Sequence, residues 1–319
     1  MKTPRLMLHT DAPELALEVV AARHPDLAPT VCADFESLAE AVAREQPEVV
    51  YSSNFAPAPF PRAPLMETEV AWVSNAGSGV NHLMPWDPAR VTVTNSAGVA
   101  AEAMAQYALG MMLHFSLDVP GLQSDQAARV WAARQIEPLW GKTLAIIGLG
   151  KTGAQTAIYA SALGMEVLGV RARPQPTPSV AEVFATSEMD KALARADFVL
   201  LCLPLLETTR GLFDAKALGA MRPGAVLIDV SRGGILVEAD LMDALDEGRL
   251  GGVALDVTSP EPLPAESPLW ARPEVLISPH CSGVWPGWER RSLEMFAENL
   301  HRWRRGDPLR NVVDPARGY

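Results

Sequence analysis

The feature that most narrows what this chain can fold into is a glycine turn. Gly148-Leu149-Gly150-Lys151-Thr152-Gly153 follows directly on the apolar run 144–147 and opens a helical pattern over 152–163. A G-x-G-x-x-G turn between a buried strand and a helix is the setting in which a dinucleotide binds. The first glycine permits the tight turn, the second lets the backbone approach a pyrophosphate, and the third lets helix and strand pack closely. Helix N–H groups then hold the phosphates. The alternative is a plain glycine turn; the flanking strand and helix favour the dinucleotide.

Around that turn, short apolar runs alternate with helical patterns, which predicts parallel sheets with crossover helices. Runs at 6–9, 31–33, 49–52, 71–74 and 91–94, with helices at 14–22 and 36–44, form a first block that closes near Ser96. A weakly polar helix over 99–117 follows. Its apolar residues run nearly all round, so burial on several faces is expected, either between domains or against a partner subunit. Trp140-Gly141-Lys142 marks the entry to a second block. It has strands at 143–147, 166–170, 198–203, 225–230, 253–256 and 275–278, and helices at 152–163, 214–220 and 238–247. The Pro-rich stretch 174–178 reads as a surface loop, and a last helix spans 287–305. At about 150 residues per domain, 319 residues predict two domains.

The charge balance is 27 − 38 = −11. An acidic chain offers no electrostatic footprint for nucleic acid or an anionic membrane. An anionic substrate would need a local cluster of positive charge or backbone N–H groups. Cys32, Cys202 and Cys281 are too scattered for a disulfide framework or a metal site, and none is expected. The apolar stretches fall far short of the roughly 20 residues of a membrane span, and the N-terminus lacks a signal peptide's apolar core. A soluble cytoplasmic protein is expected.

The strand at 166–170 ends where an NAD-specific site usually carries Asp or Glu to bond the ribose 2′-hydroxyl. This chain has Arg171-Ala172-Arg173 instead. Two guanidinium groups suit a 2′-phosphate, so NADP(H) is the expected preference, with NAD(H) possible.

Three downstream motifs follow strand ends, where open parallel sheets bind ligands. Ile228-Asp-Val-Ser-Arg-Gly-Gly234 carries Arg232, Ala254-Leu-Asp-Val-Thr-Ser-Pro-Glu-Pro262 carries Glu261, and Ile277-Ser-Pro-His-Cys-Ser-Gly283 carries His280. In the first block, Asn75-Ala-Gly-Ser-Gly-Val-Asn81 follows a strand, and its successive N–H groups can form a concave anion site. Each piece alone has a bland reading as a surface arginine, a solvated loop acid, a satisfied histidine or a flexible turn.

Together, in this order and spacing, they resemble the D-isomer-specific 2-hydroxyacid dehydrogenase family over essentially the whole chain. The resemblance implies an α/β protein of two Rossmann-like, doubly wound domains. A substrate domain of 1–98 and 286–319 would be discontinuous, with the cofactor domain, 99–285, inserted and the active site in the cleft between them. It implies a catalytic triad. Arg232 would bind the substrate's carboxylate and keto oxygen, where a planar fork fits. His280 would give a proton to the carbonyl oxygen as hydride arrives from the nicotinamide. Glu261 would bond the other imidazole nitrogen and orient the ring.

Cofactor contacts are implied at Gly148, Gly150, Lys151, Thr152 and Gly153, at Arg171 and Arg173, and further on at Cys202, Pro204 and Thr209. Val230, Ser231 and Asp256 complete that set, with Asp256 near the nicotinamide carboxamide. Cys202 stands where many members carry His. The substrate would meet Gly77, Ser78 and Gly79, then Asn54 and Trp285; Trp285 and Trp288 cap the pocket or simply pack. The family often has Asp where this chain has Asn81. A homodimer built partly on the 99–117 helix is expected, acting on a small anionic 2-keto or 2-hydroxy acid such as glyoxylate or hydroxypyruvate. Two other activities are weighed: phosphite oxidation on the same fold, and a nucleotide-sensing co-repressor role. Formate dehydrogenases pair the histidine with glutamine, and Glu261 argues against that.

Overall fold

Strands buried on both faces read as short continuous apolar runs, and the runs of this sequence become two parallel sheets. The computed structural model describes residues 2–53 and 61–318. The chain divides into two compact units, Met1–Val99 with Trp285–Tyr319, and Ala100–Val284.

The first unit contains β1 (Leu6–His9), α1 (Pro13–Arg23), β2 (Thr30–Cys32), α2 (Leu38–Glu45), β3 (Val49–Ser52), α3 (Ala63–Met66), β4 (Trp72–Asn75) and β5 (Thr92–Thr94). Its sheet order is β2-β1-β3-β4-β5, with Leu6 in register with Val49. Side chains alternate across a strand, so both faces are filled. Leu6, Leu8, Val49, Tyr51 and Trp72 pack against Leu293, Phe296, Ala297 and Leu300 of the C-terminal helix Trp288–Arg305. Met7, Val50 and Val73 pack against Leu38, Leu65 and Leu83 on the other side. Trp72 is fully buried, stacked on Trp303 at 5.5 Å, and its indole N–H donates to Thr94 Oγ1 at 2.9 Å.

The second unit contains α4 (Ala101–Ser116), α5 (Val119–Ala128), β6 (Thr143–Ile147), α6 (Lys151–Ala162), β7 (Glu166–Val170), β8 (Glu182–Phe184), α7 (Met189–Leu193), β9 (Phe198–Leu201), α8 (Ala215–Ala220), β10 (Ala225–Asp229), α9 (Glu238–Asp246), β11 (Leu250–Leu255) and β12 (Val275–Ile277). All strands are parallel in the order β12-β11-β10-β9-β6-β7-β8. Leu144, Ile146, Leu200 and Ile228 face one side with Ala108, Met112 and Ala157. Ala145, Ile147, Val199, Leu201 and Leu227 face the other with Phe213, Leu218 and Leu241. This is the doubly wound α/β architecture.

α4 is enclosed on several faces, as expected: Met104, Tyr107, Leu109, Met111 and Phe115 are half-buried, and they flank a fully buried stripe of Ala101, Ala105, Ala108, Met112 and Ser116. Those residues recur at helical spacing toward α6 and the sheet, which leaves Leu113 exposed. Among the described residues no helix is long and apolar enough to cross a membrane.

Candidate functional site

In the second unit the strand order reverses between β6 and β9, and a sheet of this kind opens a ligand crevice beyond the strand ends at that point. The glycine turn leaves β6 there. Gly148 has φ +110°, a conformation only glycine adopts freely, and its N–H donates to Val170 O at 2.9 Å. A Cβ on Gly148 would stand 2.7 Å from Cys202 O, and one on Gly153 would run into Gly148 O. A Cβ on Gly150 would meet nothing within 4 Å. Gly150 is also the N-cap of α6 and brings no capping side chain, so the first N–H groups of a 12-residue helix stay open. An unfilled approach beside open helix N–H groups fits a diphosphate. Lys151 is exposed and Thr152 half-buried at the same helix start.

Beyond β7, Arg171 is half-buried and Arg173 exposed, and among the described residues neither forms an ion pair. The Cys202 thiol after β9 donates to Gly148 O at 2.9 Å; burial pushes its pKa up to about 12. The Thr209 hydroxyl is engaged locally, donating to Pro204 O at 2.7 Å and accepting from Leu206 N.

β10 ends at Asp229, which sequence reading had not singled out. Its buried carboxylate accepts from the N–H of Ser231 at 2.8 Å and from the Ser231 hydroxyl, a local turn that holds Ser231 and presents Arg232. Burial pushes the Asp229 carboxyl up to about 7, with Asp256 adding to the shift. The signal was present in Asp-Val-Ser after an apolar strand. Val230 is buried in the strand's continuation, its N–H on Leu201 O. Arg232 donates to Ser231 O at 2.7 Å, and among the described residues no carboxylate lies within ion-pairing distance of it. Burial lowers its pKa, opposed by the charges of Glu261, Asp229 and Asp256; an arginine remains cationic through such a shift.

Glu261 and His280 meet. Glu261 Oε2 lies 2.8 Å from His280 Nδ1, and Glu261 Oε1 accepts from Thr258 N at 3.1 Å. Burial pushes the Glu261 carboxyl up, but the hydrogen bonds from His280 and Thr258 and the charges of His280 and Arg232 outweigh it and hold it below the usual range. An ionised carboxylate only accepts, so Nδ1 carries the hydrogen and the other ring nitrogen is left to exchange protons. His280 itself has φ +50°, and its N–H donates to Asp256 O at 2.9 Å and Ser278 O at 3.0 Å.

In the first unit, the loop after β4 turns its carbonyls inward. Asn75 Nδ2 donates to Gly77 O at 2.9 Å and Gly79 O at 3.0 Å, and Asn95 Nδ2 to Ser78 O at 2.8 Å. Among the described residues the N–H groups of Gly77, Ser78 and Gly79 have no partner. Trp288 packs on the core under the C-terminal helix, while Trp285 is half-buried with Arg291 5.6 Å over its ring and, among the described residues, its indole N–H without a partner. Asn54 lies outside the described residues. Among the described residues no group of three His, Cys, Asp or Glu could hold a metal.

A family model for the NAD binding domain of D-isomer specific 2-hydroxyacid dehydrogenases matches residues 109–282. The glyoxylate reductase of Korarchaeum cryptofilum is 31% identical over 235 residues, 70% of this chain and 69% of that protein. The match to the D-3-phosphoglycerate dehydrogenase of Methanocaldococcus jannaschii spans only 43% of that longer protein. Among solved structures, a D-isomer specific 2-hydroxyacid dehydrogenase from Xanthobacter autotrophicus Py2, in complex with NADPH and MES, superposes with a TM-score of 0.87 at 28% identity over 100% of both chains. An NADPH-dependent glyoxylate/hydroxypyruvate reductase from Sinorhizobium meliloti, in complex with NADP and sulfate, gives 0.84 at 25% identity, again over 100% of each chain.

Proposed function

This chain belongs to the D-isomer specific 2-hydroxyacid dehydrogenase family and is an NAD(P)-dependent oxidoreductase; from that premise we propose that it reduces a small 2-keto acid, of the glyoxylate or hydroxypyruvate type, with NADPH. The observation that carries the reading is the 2.8 Å pair of His280 Nδ1 and Glu261 Oε2, in the same unit as an Arg232 that forms no ion pair among the described residues.

The cofactor, when bound, supplies the hydride. Gly148, Gly150 and Gly153, with the N–H groups that begin at Lys151 and Thr152, hold its diphosphate. Arg171 and Arg173 hold its 2′-phosphate, and Cys202, Pro204, Thr209, Val230, Ser231 and Asp256 line its nicotinamide half. Arg232 binds the substrate's carboxylate and keto oxygen through its planar fork. The N–H groups of Gly77, Ser78 and Gly79 in the first unit are assigned to an anionic group of the substrate, and Trp285 to limiting its size. His280 gives the proton on its second ring nitrogen to the keto oxygen, so that a hydroxyl group and not an alkoxide forms, and takes it back in the reverse direction. Glu261 keeps Nδ1 protonated and the ring in place.

We also assign a homodimer partly to α4. Leu113, Leu122, Val130, Trp131, Ile136 and Trp140 are large apolar side chains left exposed across 113–140, and Trp131 is 100% exposed; a partner subunit covering them would take that apolar area out of water. Light scattering of the protein and of Trp131→Asp tests this, with a monomer in the wild type as the contrary result. The activity is tested by mixing the protein and NADPH with glyoxylate, hydroxypyruvate, pyruvate and phenylpyruvate in turn. Cofactor oxidation fastest with the first two is expected, and none with any keto acid would overturn the reading.

A further inference from the structure

The acid–base histidine sits on a loop whose conformation needs an explanation. A non-glycine residue at φ +50° is strained, and His280 is held there by Asp256. This side chain is 1% exposed, and a buried carboxylate is tolerated only when its oxygens are bonded. Its Oδ1 accepts from Cys281 N at 2.8 Å and its Oδ2 from Ser282 N at 3.0 Å, while its backbone oxygen accepts from His280 N. The three consecutive N–H groups from 280 to 282 therefore all close on one residue.

The same Oδ1 lies 2.6 Å from Ser278 Oγ, and Ser278 Oγ lies 2.6 Å from the hydroxyl of Tyr107 on α4. Oδ1 is already accepting, so Ser278 donates to it, and the one hydrogen left for the second contact belongs to Tyr107. The ladder runs in one direction, from Tyr107 to Ser278 to Asp256, and ends under the peptide of His280. Burial and the charge of Asp256 push the tyrosine's pKa up to about 12, which keeps the hydroxyl a donor through neutral pH.

We propose that Tyr107 and Ser278 are positioning residues for the reaction: through Asp256 they fix the backbone that aims the His280 imidazole, and they couple the placement of α4 to the proton-transfer step. This rests on the reading of His280 as the acid. In a merely structural role the ladder would satisfy a buried carboxylate and nothing more, and its removal would lower stability without selecting one kinetic step.

The test uses Tyr107→Phe, Ser278→Ala, Ser278→Thr and His280→Ala in the full chain, with NADPH and glyoxylate as probes. Because even small misplacement of a reacting group is costly, Tyr107→Phe and Ser278→Ala should each lower kcat about tenfold while KM and NADPH affinity stay within about twofold. Ser278→Thr keeps the hydroxyl and should retain the parent kcat. The chain has six histidines, so the ring C–H resonance of His280 is assignable by its loss in His280→Ala. Without cofactor, that resonance should shift in Tyr107→Phe and Ser278→Ala and stay in place in Ser278→Thr. Parent kcat and an unmoved resonance in the two deletion variants would overturn the positioning role alone, provided His280→Ala is inactive. A loss shared equally by Ser278→Thr and by NADPH affinity would overturn it in favour of general destabilisation. Turnover retained in His280→Ala would remove the acid assignment itself, and the inference with it.

Discussion

His280 Nδ1 is 2.8 Å from Glu261 Oε2, although 19 residues separate them and both side chains are partly exposed. The contact forms because β11 and β12 are neighbouring parallel strands, with Ala254 in register with Leu276, so the loops leaving them begin side by side. If His280 is the proton donor we propose, His280→Ala should lower kcat by about 10²–10⁴-fold with NADPH affinity intact. Glu261→Gln keeps a hydrogen-bonding group but no charge, and should fall between that variant and the parent. Steady-state kinetics with a fluorescence titration of NADPH check both; full activity in His280→Ala is the contrary result.

The glycine turn separates a packing role from a binding role. A Cβ at Gly153 runs into Gly148 O, so Gly153→Ala should cost about 1–3 kcal/mol of stability through overpacking. A Cβ at Gly150 meets nothing, and φ there is −78°, so Gly150→Ala should stay within about 1 kcal/mol of the parent. Its methyl group would stand where the diphosphate approaches, and NADPH affinity should fall at least about tenfold. Thermal melts without cofactor and NADPH titration separate the two. Equal affinity in Gly150→Ala would count against the cradle.

The strands were legible because a parallel sheet buries both faces and leaves a continuous apolar run; β1, β3, β6 and β7 begin and end where the runs do. β8 was not, because only Phe184 of its three residues is buried at the sheet edge. α5 has no buried residue and so carries no apolar stripe to read. At the site, Arg232, Glu261 and His280 announce themselves as polar residues after strand ends. Tyr107 gave no such signal: it lies in a weakly polar helix, and its partner Ser278 is 171 residues away. Contacts of that kind are written in tertiary packing and not in local pattern.

Arg171 and Arg173 follow β7 without ion-pair partners among the described residues, which leaves both guanidinium groups for an anion. If they hold a 2′-phosphate, replacing them together with Ala should raise KM for NADPH by about 10–100-fold, since a hydrogen bond to a charged group contributes about 1.5–3 kcal/mol. KM for NADH, which lacks that phosphate, should barely move. The ratio of kcat/KM for the two cofactors reads the effect directly. Equal losses with both would show that the arginines act elsewhere.

Asp229 makes the second unit's stability depend on pH in the direction opposite to an ion-paired acid. Burial raises its pKa from 3.8 to about 7, so the folded state holds a proton that the unfolded chain gives up. Its contribution is fully present below the ordinary carboxyl pKa, declines as pH rises, and is gone once pH passes about 7. Asn at this position keeps an acceptor for the Ser231 N–H without the charge. Asp229→Asn should therefore gain stability relative to the parent on the order of 2 kcal/mol between pH 5 and pH 8. Calorimetric melts of both proteins at the two pH values measure the change, and parallel pH dependence would mean that Asp229 is charged in the folded protein throughout.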